Sequence, residues 1–212
     1  IGHSFAEFDT LLENANVYVK TPAMSEASES TGEKCLFVGR RGTGKTAITK
    51  FVGANKRAII LNPKSLASAS LPLPIEDFKD TRQRPFNSLV LALKRTLLFE
   101  VLERWIQNGD LNDYEINGDL KREKRYLEEP EFDFRLLSVL EDFGDAVKKN
   151  EKEWLKFLRR TKTLIREMKP FGEGVQKYHI LIDRIDDDWD GSETAVVMLM
   201  ALMHAVVQLN VE

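Results

Sequence analysis

Residues 39–46 read Gly39-Arg40-Arg41-Gly42-Thr43-Gly44-Lys45-Thr46, and few eight-residue stretches restrict a chain as much. Glycines let a loop wind so that successive N–H groups turn inward and form a nest for an anion. At this spacing Lys45 reaches the β- and γ-phosphates of a nucleotide and the Thr46 hydroxyl ligates Mg²⁺. Such a loop works only between a buried strand and the positive end of a helix, and the flanks supply both. Residues 35–38 (Cys35-Leu36-Phe37-Val38) are a short apolar run, and residues 46–52 read as a helix whose dipole faces the phosphates. The nucleotide-contacting set is then Gly39, Arg40, Arg41, Gly42, Thr43, Gly44, Lys45, Thr46 and Ala47.

The pattern G-x-x-x-x-G-K-T is the P-loop, or Walker A, motif. A second apolar run, residues 58–61, follows the helix and is closed by Asn62-Pro63. Strand, loop, helix and strand make a βαβ unit, with a parallel sheet and a right-handed crossover. The fold class expected is α/β: a P-loop NTPase core, its parallel sheet flanked by helices, forming one domain over residues 1–212.

A helical block comes next. Phe86, Leu89, Val90, Leu93, Leu97, Val101, Leu102 and Trp105 keep helical spacing up to the stop at Asn108-Gly109. Residues 111–129 are densely charged and read as a helix with a solvated face or as a mobile connection. Phe132, Leu136, Val139, Leu140, Phe143 and Val147 mark another helix. A further one over 154–168 is expected to end at Pro170, Gly172 and Gly174. A compact core needs far less chain before its next strand, so residues 76–172 are expected to form a helical insertion or lid.

The net charge of −3 excludes a chain that binds nucleic acid by bulk charge alone. One face nonetheless carries a basic stripe at Lys148, Lys152, Lys156 and Arg160, a candidate track for nucleic-acid phosphates or an acidic partner, or simply a solvated face. The single cysteine, Cys35, points away from disulfides and toward a reducing, cytoplasmic compartment. No apolar run reaches the roughly 18–20 residues of a membrane span. Residues 195–207 come nearest and read as a buried helix, with His204 packed in the core. His3 and His179 have no ligand companions, so no zinc site is expected. Ile1 in place of an initiator methionine suggests a piece of a longer polypeptide.

Residues 178–183, Tyr178-His179-Ile180-Leu181-Ile182-Asp183, form an apolar strand that ends in an acid, the Walker B arrangement. Ligands of a parallel sheet gather beyond its strand C-termini, so Asp183 is expected beside the P-loop as the Mg²⁺ carboxylate. Many ATPases set a glutamate directly after this aspartate, whereas here Arg184 takes that place and Asp186 is the next acid. The run Asp183-Arg184-Ile185-Asp186 resembles the STAND and KAP branches of the AAA-like ATPases. More closely it is similar to a bacterial P-loop ATPase family with an Ile-Asp-Arg-x-Asp Walker B. The resemblance covers the P-loop region and residues 178–207. It implies Mg·ATP binding and hydrolysis, Lys45 and Asp186 as catalytic residues, Thr46 and Asp183 as metal ligands, and action as an oligomerising switch or motor in bacterial defence or signalling.

Asp186 has an equal structural reading, and Asp187, Asp188 and Asp190 fit a solvated acidic turn or a helix start, with Asp190 capping the last helix. Tyr18 reads as a packing residue or as a base-stacking one. ATP is favoured over GTP, because no Asn-Lys-x-Asp segment is present. Two other functions stay open: a module that holds nucleotide without turnover and recruits a partner, and a small-molecule phosphotransferase.

Overall fold

The computed structural model describes residues 21–29, 37, 42–55, 57–63, 84–109, 123–129, 131–149, 151–174, 178–185 and 190–209. The described chain is mostly helical, with one small parallel sheet of two strands. Its elements are α1 (Pro22–Glu29), α2 (Lys45–Asn55), β1 (Ala58–Leu61), α3 (Arg84–Gln107), a 3-10 turn (Lys124–Leu127), α4 (Phe132–Lys149), α5 (Glu151–Gly174), β2 (His179–Ile182) and α6 (Glu193–Leu209). Contacts divide the chain into two compact units, Ile1–Asn62 with Lys177–Arg184, and Pro63–Gln176 with Ile185–Glu212.

In the first unit β1 and β2 run parallel, pairing Ala58 with His179, Ile59 with Ile180, Ile60 with Leu181 and Leu61 with Ile182. Strands so far apart in sequence pair because each is a short β-branched, apolar run with turn-forming residues after it. Helix α2 packs on this pair, and the contact passes through Gly53. A Cβ there would lie 3.1 Å from Ile60 Cδ1 and 3.9 Å from Leu181 Cδ1, so the helix approaches closely only because the side chain is a hydrogen. Helix α1 packs on α2 and buries Met24. The helix starts where Thr21 Oγ1 accepts the Met24 N–H at 3.2 Å, with Pro22 in the first turn. Of the expected strand at 35–38 only Phe37 is described.

The second unit is built around α3. Leu89, Val90, Leu91, Ala92 and Leu93 are consecutive and all buried, so this helix is covered on every side rather than along one stripe. Helices α4, α5 and α6 pack against it. It ends where expected: Gly109 has φ +71°, and its N–H donates to Ile106 O at 3.1 Å. Helix α5 passes Pro170, the first of the expected stops, and ends at Gly174, the last of them. The cap of α6 is Ser192, whose Oγ accepts the Ala195 N–H at 3.1 Å, while Asp190 Oδ1 accepts the Ser192 N–H at 2.8 Å and shapes the turn before it. His204 lies exposed on α6 instead of packed in the core, its ring perpendicular to that of Phe86 with centroids 5.4 Å apart. The helix buries the opposite face, through Ala195, Met198, Ala201, Leu202 and Ala205. Among the described residues no helix is long and apolar enough to cross a membrane.

Candidate functional site

Helix α2 begins at Lys45, and Gly44 caps it: the Ile48 N–H donates to Gly44 O at 2.9 Å as the first helical bond. The N–H groups of Thr46 and Ala47 stand in the first turn, where no carbonyl of the helix can reach them, at the positive end of the dipole. No acid stands in that turn to repel an anion. Gly42 and Gly44 have φ +83° and +88°, the left-handed backbone that an anion nest requires. A Cβ on either would meet nothing within 4 Å, so these glycines serve conformation and not space. Gly42 and Thr43 are exposed, while Gly44, Lys45, Thr46 and Ala47 are half-buried, and the loop opens to solvent.

Asp183 leaves the C-terminal end of β2. Its N–H donates to Leu61 O at 2.9 Å, adding a rung to the parallel ladder. Its Oδ1 accepts the Arg184 N–H at 3.0 Å. Arg184 has φ +62°, the one non-glycine residue with positive φ among those described. That conformation costs roughly 1–2 kcal/mol and turns the chain sharply after the acid. Only Lys56 and Arg57 separate α2 from β1, so a helix packed on that strand has to run back against it. The start of α2 therefore points to the sheet edge from which Asp183 emerges. Thr46 and Asp183 offer hard oxygen donors, and the loop offers N–H groups, a set suited to Mg²⁺ and a polyphosphate. Gly39, Arg40, Arg41 and Asp186 lie outside the described residues, as do Tyr18, His3, Asp187 and Asp188. Among the described residues no three His, Cys, Asp or Glu side chains converge as a metal cluster.

The basic stripe does not hold together as one face. Lys148 belongs to α4, and Lys152, Lys156 and Arg160 to α5, with Asn150 between them outside the described residues. Lys152 and Lys156 are exposed, but Arg160 turns inward: its Nε and Nη2 donate to Glu123 Oε1 at 2.8 and 2.7 Å.

That inward turn leads to a buried charge cluster that sequence reasoning missed. Arg95 Nη2 meets Glu123 Oε2 at 2.5 Å, with side-chain exposures of 0% and 4%. Its Nη1 donates to Thr161 Oγ1 at 3.3 Å. The rings of Phe157, Phe99 and Tyr126 stand 4.8, 5.4 and 5.5 Å from the guanidinium carbon, an aromatic cage that offsets part of the lost hydration. Burial lowers the Arg95 pKa, and Glu123 opposes that shift. Nearby, Arg135 is also fully buried. It donates to Tyr126 O at 2.8 Å, to Glu129 O at 2.7 Å, and to the carboxylates of Glu103 at 2.7 Å and Glu100. Burial pushes the Glu100 carboxyl up, against the pull of Arg135. The Tyr126 hydroxyl and Arg125 both reach Asp142. Part of the segment read as solvated or mobile, residues 123–129, is thus stapled to its neighbours, with Glu123 and Tyr126 buried. The available signal was Lys94-Arg95 set inside the apolar run of α3, where a cation needs a partner.

Comparison of the chain with protein-family models, with curated proteins and with solved structures finds no match.

Proposed function

We propose that the glycine loop binds Mg·ATP and that the chain hydrolyses it, as a P-loop ATPase of the AAA/STAND/KAP-like kind working as a switch or motor. The observation that carries this reading is one local arrangement. A loop with left-handed Gly42 and Gly44 opens α2, in the same unit as a parallel strand that ends in Asp183. In this reading the N–H groups of residues 42–47 cradle the phosphates, and Lys45 neutralises the β and γ oxygens. Thr46 and Asp183 would hold Mg²⁺, which supplies charge neutralisation on the transferring phosphoryl group. Asp186 orients the attacking water. Arg184, in the place usual for glutamate, supports the second reading, a module that holds nucleotide with little turnover.

Calorimetric titration with Mg·ATP separates these outcomes when paired with steady-state phosphate release. Wild-type protein should bind saturably, and Lys45→Ala should weaken binding by about tenfold or more, the loss of a charged hydrogen bond. Phosphate release that vanishes in Asp186→Ala supports hydrolysis, whereas binding without release supports the module. Folded protein that gives neither heat nor a thermal shift with Mg·ATP overturns both.

A further inference from the structure

The sheet fixes the backbone of Asp183, whose N–H donates to Leu61 O at 2.9 Å, but a ladder bond does not fix the side-chain torsions of an acid. The next residue restrains them: the Arg184 N–H donates to Asp183 Oδ1 at 3.0 Å. Arg184 holds this bond with φ +62°, whereas the other described residues with positive φ, Gly42, Gly44, Gly109 and Gly191, are glycines. The two features are linked through the planar peptide that joins Asp183 to Arg184. Swinging that plane changes ψ of Asp183 and φ of Arg184 together, so relaxing the φ of Arg184 carries its N–H away from Oδ1. The strain is therefore coupled to the orientation of the candidate metal carboxylate. A carboxylate offers about four lone-pair sites, and one N–H leaves the others for a cation. A metal ligand already held in one orientation loses less side-chain freedom when the ion binds.

Within the Mg·ATP reading of this site, on which this role rests, we propose that Arg184 is a positioning residue. Its left-handed backbone keeps an N–H on Asp183 Oδ1 and so presents the carboxylate to Mg²⁺. The role belongs to the backbone and not to the guanidinium. A β-branched residue, which avoids positive φ, should lose it, and glycine, which adopts positive φ freely, should keep it. ATP held by the glycine loop without metal should not respond to either change.

Calorimetric titration of the full chain with ATP in EDTA, and then with Mg·ATP, reads how far Mg²⁺ tightens binding. Asp183→Ala should abolish the tightening. Arg184→Val should reduce it by about fivefold or more, with affinity for ATP in EDTA kept within about twofold. Arg184→Gly removes the same positive charge as the valine variant, yet should retain the tightening within about twofold. Thermal unfolding checks that each variant folds. If Arg184→Val does not, Arg184→Ala replaces it, with a smaller loss in the same direction. Folded wild-type protein that does not bind Mg·ATP overturns the nucleotide reading and this role with it. Tightening that survives Asp183→Ala takes the metal away from Asp183 and overturns the role. Tightening that Asp183→Ala abolishes but Arg184→Val leaves intact overturns the positioning role alone. A glycine variant as weak as the valine one also overturns it, by assigning the effect to the arginine side chain.

Discussion

The two units treat charge in opposite ways. In the helical unit Arg95 and Arg135 are fully buried, and each is met by carboxylates: Glu123 for one, Glu100 and Glu103 for the other. In the sheet unit the glycine loop opens to solvent, and Arg184 is exposed beside a half-buried Asp183. Strain is distributed the same way around. Three of the described positive-φ residues, Gly42, Gly44 and Arg184, belong to the small sheet unit and flank its candidate site. A buried ion pair adds little net stability but is costly to break, whereas a solvent-facing loop adds little and leaves oriented donors for a ligand. The residue types are alike, and burial decides which role each plays.

Breaking the larger cluster is the strongest test of that contrast. Arg135→Ala leaves Glu100 and Glu103 without their shared guanidinium and the Tyr126 and Glu129 carbonyls without their donor. A loss of about 3–5 kcal/mol is expected, read as a lower urea midpoint with the slope retained. A loss under about 1 kcal/mol would mean that water satisfies these carboxylates, and the contrast between the units would fail. The same variant should keep whatever Mg·ATP affinity the sheet unit has if it still folds.

On the other side of the comparison, Gly44→Ala tests strain alone. A Cβ at this position meets no atom, so only φ +88° opposes it, at about 1–2 kcal/mol. Thermal unfolding should show that loss, with weaker Mg·ATP binding as the loop leaves the left-handed region. An unchanged melting temperature would show that the loop has no fixed conformation to lose.

How much of this was legible in the sequence follows from how local each cause is. The 58–61 and 179–182 strands, the start of α2 and the stop at Gly109 are set by short-range patterns, and all were readable. The cap at Ser192 is equally local, but Asp190 was a competing neighbour. The buried cluster was not readable, because Glu123, Arg135 and Arg160 reach their partners across 28 to 37 residues. Periodicity says that a charge lies on a face, and it does not say what the face meets. Arg160 shows this well, since its four-residue spacing from Lys156 suggests an outward stripe while its guanidinium is committed to Glu123. Around the candidate site, the helix start at Lys45 and the strand end at Asp183 were legible from local pattern, while the positive φ of Arg184 had no sequence signal at all.

Tyr126 offers a pH-dependent test of the same cluster. Burial raises its pKa, helped by the hydrogen bond to Asp142. A folded pKa above the unfolded value of about 10 means that the stabilisation is complete below pH 10 and is lost as pH rises through the folded value. Tyr126→Phe should therefore cost about 1 kcal/mol at pH 8. Its difference from wild type should shrink at pH 10.5, when urea unfolding is compared at the two values. A gap that widens with pH would reverse the sign and show that the folded state favours the phenolate.

The smallest expected effect lies at Arg184. Its left-handed backbone costs roughly 1–2 kcal/mol, and a glycine there escapes that penalty while losing about 0.5–1 kcal/mol of unfolded-chain entropy. Arg184→Gly should thus raise stability by about 0.5–1 kcal/mol, measured as a higher urea midpoint. A gain of that size would mark Arg184 as a residue held against its own preference, in the unit where strain borders the candidate site. A loss instead would mean that the arginine side chain contributes packing or pairing that outweighs its backbone, and the sheet unit would then resemble the helical one in spending its cations on structure.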